Sequence, residues 1–290
     1  MSDSSSHFSG PVPDRSSRIV SAVLSPAVRL WLRSQLEAVT DLQFKIEGSD
    51  RQLLSGYIPQ VRVAARQAVY RGLHLSQIQL TATRIRINLG QIVKGKPLRL
   101  LDSFPIAGTL CLQETDFNAS LAAPLLNAAV SGFLVRLLQT AAIVENVGKP
   151  TVVEMPPRTP QIRQQIPALE PLRRLLQSSN SNLRLANASA AFEPERLTLS
   201  GTLVAHGEEG SEDAELAGVA IALRTGLKLA SPHELQLNQP HLLPHASAPS
   251  GIPLTDPEGL TLDLGSGTNL QTLTLESGQL NCQGSITVTP

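Results

Sequence analysis

Aromatic side chains make up 3% of this chain and cysteines number two, and each shortage excludes something. Proteins that bind single-stranded nucleic acid stack bases on aromatic rings, and these are too few to form such a platform, so no nucleic-acid partner is expected. Cys111 and Cys282 are too few for a disulfide framework, and a zinc site would need further ligands at metal spacing. Both read as small apolar filler in strands. No G-x-S-x-G elbow, P-loop or strand-linked G-x-G-x-x-G occurs, and nothing pairs a nucleophile with a base. No catalytic residue, metal or cofactor is therefore assigned. His233, His241 and His245 lie close together, but Pro240 and Pro244 break the helix that would align the last two, so a solvated loop is expected. Gly265-Ser266-Gly267-Thr268 lies between two strand signals and reads as a hairpin turn. Residues 1–16 are Ser-rich and carry Pro11 and Pro13, which implies a disordered tail. They lack the apolar stretch of a secretory signal, so a cytoplasmic setting is expected.

One further absence is local. Residues 51–101 hold nine Lys or Arg and no Asp or Glu. Over the whole chain basic and acidic residues balance at 24 each, but residues 1–150 carry 16 basic and 10 acidic side chains and the remainder 8 and 14. Arg62 and Arg66 alternate with Val61, Val63 and Ala65, and Arg84, Arg86, Lys94, Lys96 and Arg99 belong to the same stretch. One reading is an ordinary solvated sheet face. The other is a surface for anionic headgroups, each cation near a charged leaflet being worth about 1 kcal/mol.

What the chain does contain is a strand pattern used three times: apolar-x-apolar-x-Gly-x-apolar, at 104–110, 197–203 and 280–286. Period-2 alternation marks a strand with one buried face. Gly108, Gly201 and Gly284 all fall in the buried register, where a glycine marks a sharp bend or the close approach of another backbone. Further strands are expected at 42–46, 58–68 and 78–89, with a bulge near Thr83-Arg84 restoring a common face to Ile78, Leu80, Ala82 and Ile85, Ile87. In the second half they are expected near 183–187, 217–224, 226–230, 234–238, 260–264 and 270–275. Arg71-Gly72 reads as a turn.

Two helices matter. One is expected over 17–39. The other opens at Thr115 as N-cap and runs over about 116–143 with Asp116 in its first turn and a single charge, Arg136, beyond it; Leu121, Leu125, Phe133 and Leu137 mark it as core or as the lining of an apolar groove. Asn118, Pro124, Asn127 and Ser131 weigh against a membrane span. The expected fold is α+β, a curved antiparallel sheet wrapped around this long apolar helix. One domain is expected over 17–290, with a proline-punctuated connection at about 145–180.

The closing segment 260–288, the basic strands around 58–89 and the Thr115-Asp116-Phe117-Asn118 helix start together resemble the LmeA-like phospholipid-binding family, in its cyanobacterial branch. The resemblance covers roughly residues 17–290. It implies an architecture similar to tubular lipid-binding domains and a non-enzymatic phospholipid binder, in actinobacteria linked to envelope lipoglycan synthesis. An anionic phospholipid or membrane surface is the expected partner, met peripherally at the inner face of a plasma or thylakoid membrane. Taken alone, the residues leave a second reading open: a soluble scaffold or protein-interaction domain without a lipid ligand.

Overall fold

The computed structural model describes residues 33–92, 96–97, 99–140, 170–178, 183–205, 218–254 and 261–290. The tail over 1–16, most of the 17–39 helix, Lys94, the end of the 116–143 helix and most of the Pro-rich connection lie outside them. Chain order is β1 (Asp41–Glu47), α1 (Asp50–Leu54), β2 (Tyr57–Tyr70), β3 (Leu73–Arg86), α2 (Leu89–Ile92), β4 (Phe104–Gln113), α3 (Glu114–Ser120) and α4 (Pro124–Thr140). Then come α5 (Glu170–Ser178), β5 (Leu183–Glu193), β6 (Arg196–Ala205), β7 (Val219–Ser231), β8 (Glu234–Leu243), β9 (Ile252–Pro253), β10 (Thr261–Asp263), β11 (Thr268–Glu276) and β12 (Gln279–Val288).

The strands form two antiparallel sheets. The first runs β1-β2-β3-β4-β12-β11 and the second β10-β8-β7-β6-β5, with β9 beside β8. The last two strands thus return to β4, and the second sheet is inserted between two halves of the first. The expected α+β class with antiparallel sheets is what the chain forms.

The three patterned glycines lie where backbone comes close. Gly108 and Gly284 are cross-strand partners in the row Phe44–Val63–Leu80–Gly108–Gly284–Leu270. A Cβ on Gly108 would lie 2.3 Å from the Gln79 carbonyl oxygen, and one on Gly284 2.5 Å from that of Asn269. Gly201 faces the Leu185 side chain, whose Cδ1 would be 2.8 Å from its Cβ. Arg71 and Gly72 both take positive φ (51° and 75°), the requirement of a two-residue hairpin turn that follows sheet twist.

The long helix is a correction. It is two helices, α3 and α4, bent by 92°. Pro124 begins the second, where its fixed φ and missing N–H are tolerated. Helix α3 starts at Glu114 with Gln113 as N-cap, two residues before the expected start, and no side chain caps it. Among the described residues α3 lies against strands of both sheets, and α4 against β5. The buried leucines of α4 (Leu134, Leu137, Leu138) and of α5 (Leu172, Leu175) pack with Leu185, Phe192, Leu203, Ile221, Leu223 and Leu237 of the second sheet. Leu275 of β11 joins this core, and Leu280 of β12 packs against it.

The polar residues of these helices bind an edge. Strand β5 ends its sheet, and bare edge amides and carbonyls invite unwanted pairing. Asn118 accepts from Ala190 N (2.6 Å) and donates to Ala190 O (2.9 Å). Asn127 donates to Leu185 O (2.9 Å), while Ser131 Oγ accepts from Leu185 N (2.8 Å) and Glu114 Oε2 from Phe192 N (2.7 Å). At spacings 114/118 and 127/131, one helix turn each, four side chains take the place of a neighbouring strand.

Two details of strand geometry also differ from expectation. The common face in β3 is restored at Arg84 (φ 58°), but no residue is inserted: Ile58↔Ile85 and Gln60↔Thr83 keep one register. Pro59, which has no N–H, stands opposite Arg84, so both strands irregularise together. Gly265-Ser266-Gly267-Thr268 is a turn but not a hairpin, since β10 and β11 belong to different sheets.

Candidate functional site

The first sheet has a polar and an apolar side. On one face stand Arg62, Arg66, Gln77, Gln79, Thr81, Thr109, Cys111 and Asn281; on the other Ile78, Leu80, Ala82, Ile106, Leu110, Cys282, Ile286, Leu270 and Leu273, as the register and period-2 alternation require. The apolar face is closed at one end by α1, whose Leu53 packs with Phe44 and Ile46. Helix α3 crosses the start of β3, where Ser120 Oγ accepts from His74 N (2.7 Å) and Ser76 Oγ from Gln113 N (2.7 Å). Among the described residues, nothing else covers the middle of the face. Leu80 remains 36% exposed and Ile286 49%, with the side-chain-free Gly108–Gly284 pair between them. The result is a strip of aliphatic surface, a shallow trough between α1 and α3, with the glycine pair at its middle.

The basic residues fall into two groups. Arg62 and Arg66 stand on the polar face. Arg62 pairs with Glu47 (3.2 Å), which Lys45 also contacts (2.9 Å), and the Lys45 hydrogen bond chiefly holds the Glu47 carboxyl below its ordinary range. Arg84, Arg86 and Lys96 lie at the end of β3 beside α1. Arg86 Nε is 3.4 Å from Asp102, and its guanidinium lies 5.7 Å from the Tyr57 ring centroid. The loop after β3 is held by a residue that sequence reasoning missed. Buried Asn88 donates to Pro97 O (3.0 Å) and accepts from Arg99 N (2.7 Å), satisfying its own amide and displaying Lys96 and Arg99. An Asn just after a strand is a turn signal, but its reach across the loop has no local signature.

Of the helix residues expected as core or groove, Leu121 and Leu137 are fully buried and Phe133 is half-buried against the second-sheet core. Leu125 departs from them at 64% exposure, because it follows Pro124 on the outward side of the elbow. His241 lies within β8, its Nδ1 2.7 Å from Gln239 O, and not in a loop. Among the described residues no group of three or more His, Cys, Asp or Glu could hold a metal.

A second hollow, a cleft of about 1120 Å³, separates β11 from the second sheet and is lined by Glu193, Arg196, Arg224, Lys228, Asn238 and His241 among others. Its mixed charge makes it a poor seat for acyl chains. Among the described residues no single helix is long and apolar enough to cross a membrane.

The described residues thus form two antiparallel sheets, the first with one half-covered aliphatic face. The chain belongs to the LmeA-like phospholipid-binding family, whose model matches residues 16–285. Comparison with curated proteins and with solved structures gives no match.

Proposed function

We propose that this is a non-enzymatic phospholipid-binding protein acting peripherally at a membrane, with acyl chains seated on the open face of the first sheet. The observation that carries the reading is that face: Leu80 and Ile286 exposed across a paired-glycine floor, in a chain of a phospholipid-binding family. Each methylene that leaves water there contributes about 0.8 kcal/mol, so roughly ten methylenes of an acyl chain would contribute about 8 kcal/mol against the cost of holding it. Arg84, Arg86 and Lys96, at the α1 end, supply cations for an anionic headgroup; Arg62 and Arg66 stand farther along the sheet, on its polar face.

Native mass spectrometry of the purified protein followed by lipid extraction tests this. Phospholipid should accompany the wild type, and Leu80→Asp with Ile286→Asp should lose it while remaining folded, because both side chains already meet solvent. A wild type that carries no lipid and takes none from phosphatidylglycerol micelles overturns the reading.

A further inference from the structure

Among the described residues, the two leucines left most open in the first half of the chain, apart from Leu125, are at one end of the molecule. Leu54 is 65% exposed and Leu101 55%. Both come from segments fastened to the last residues of β3. Helix α1 runs into Gly56, whose carbonyl accepts from Ile87 N at 2.9 Å, and Leu101 N donates to Arg86 O at 2.9 Å. No side chain fits at Gly56, where a Cβ would be 2.4 Å from Ile87 O. Leu54 and Leu101 are therefore held to the same short stretch, 86–87, and not on wandering loops.

The surroundings are cationic. Arg51, Arg84, Arg86, Lys96 and Arg99 are all exposed at this end, against Asp50 and Asp102. Asp102 is paired with Arg86, and Tyr57, beneath the Arg86 guanidinium, adds an amphipathic ring. Single exposed leucines are ordinary. Two fixed leucines ringed by five cations and a tyrosine match what an anionic bilayer requires: apolar groups to insert below the headgroups, and positive charge at headgroup level. A protein partner of ordinary composition would not call for that excess of charge.

We infer that this end, with Leu54 and Leu101 as inserted residues and Arg51, Arg84, Arg86, Lys96 and Arg99 as the charged collar, is the surface that docks on an anionic membrane. The inference rests on the lipid-binding reading and assigns its point of contact. It also places the bilayer next to the covered end of the trough. Leu54 points out of α1, while Leu53, its neighbour, closes the apolar face with Phe44 and Ile46.

Flotation of the full chain with vesicles of phosphatidylcholine, and of equal parts phosphatidylcholine and phosphatidylglycerol, tests it, alongside lipid content by native mass spectrometry. Leu54→Ser with Leu101→Ser should weaken partitioning onto the mixed vesicles by roughly tenfold or more per leucine. Lipid content should stay unchanged. Leu262→Ser, on an exposed leucine of the second sheet, should float like the wild type. Equal flotation of the double variant and the wild type overturns the inference, as does a Leu262→Ser loss of the same size. Wild type that carries phospholipid yet floats on neither vesicle overturns it while leaving the lipid-binding reading intact. Wild type that carries none removes that reading itself.

Discussion

Adding a single methyl group at Gly108 separates packing from charge as sources of stability in the first sheet. A Cβ there meets Gln79 O at 2.3 Å and Leu80 Cδ2 at 2.7 Å; at Gly284 it meets Asn269 O at 2.5 Å and Leu270 Cα at 2.9 Å. Three of these four atoms belong to neighbouring strands' backbone or lie tight against it, so they cannot swing aside as a side chain would. Relief requires separating strands that are hydrogen-bonded on both sides. Overpacking of this kind costs about 1–3 kcal/mol, so Gly108→Ala and Gly284→Ala should each fall in that range, and valine should exceed it. At roughly 2–4 °C per kcal/mol for a large domain, each alanine should lower the thermal midpoint by several degrees. The two glycines are direct partners, but their clashes lie on opposite sides of the β4–β12 pair, against β3 and against β11, so the two effects should be close to additive. Gly132→Ala supplies the opposite sign. That glycine lies in α4 with nothing within 4 Å of its Cβ position, and alanine should stabilise by about 0.5–1 kcal/mol. Urea unfolding of the four variants measures all of this. Unchanged midpoints for Gly108→Ala and Gly284→Ala would refute the account of the paired row.

Leu137→Asp should leave unfolded or insoluble protein, since it buries an unpaired carboxylate, whereas Leu125→Asp should fold with a midpoint close to wild type; circular dichroism of the soluble fractions distinguishes them. Asn118→Ala should cost about 1–3 kcal/mol by stranding the Ala190 amide and carbonyl, and hydrogen exchange should show faster opening along β5. Charge reversal at Arg84 and Arg99 should weaken flotation on anionic vesicles by at least about tenfold at low salt and much less at high salt, with a smaller effect from Arg62 and Arg66. Burial pushes the Cys282 thiol up, so little thiolate is present at mildly alkaline pH; in a Cys111→Ser background, alkylation should be slow in native protein and fast in urea.

Local rules carried the sequence reading a long way. Period-2 alternation located β2, β3, β4, β6 and β12, because a half-buried strand must write its two faces in alternate residues. The buried-register glycines announced close backbone contact, and the Arg71-Gly72 pair announced its turn. What the sequence did not announce was who lies beside whom. Gly108 and Gly284 are similar in context but far apart in sequence, and their pairing is a fact of topology. The helix over 116–143 reads as one because apolar residues recur along its whole length; only Pro124 hints at the elbow, and proline is equally at home in a first turn. Asn118, Asn127 and Ser131 looked like polar dilution, and their use became visible only against the edge of β5. Of the candidate cations, the sequence gathered a group by composition, and the structure divides it between a strand's far face and the end beside α1. Leu54 and Leu101 carry no periodic signal at all.

The insertion of the second sheet within the first has a consequence for how the chain is made. Strand β4 needs β12 on its free edge, and the partner of Gly108 is Gly284. On a ribosome adding about 5–20 residues per second, that edge waits on the order of 10–30 s for its mate. Through that interval β4 exposes its bare amides and an apolar face, next to a fully synthesised β2–β3 hairpin. The second sheet, by contrast, closes among near neighbours and can assemble first, with α3 and α4 already clamped to β5. Nascent chains stalled before residue 279 should therefore hold a protected second sheet and a sticky first one. Trigger-factor-like holdases would be expected to engage at β4 and to leave when the last ten-residue strand arrives.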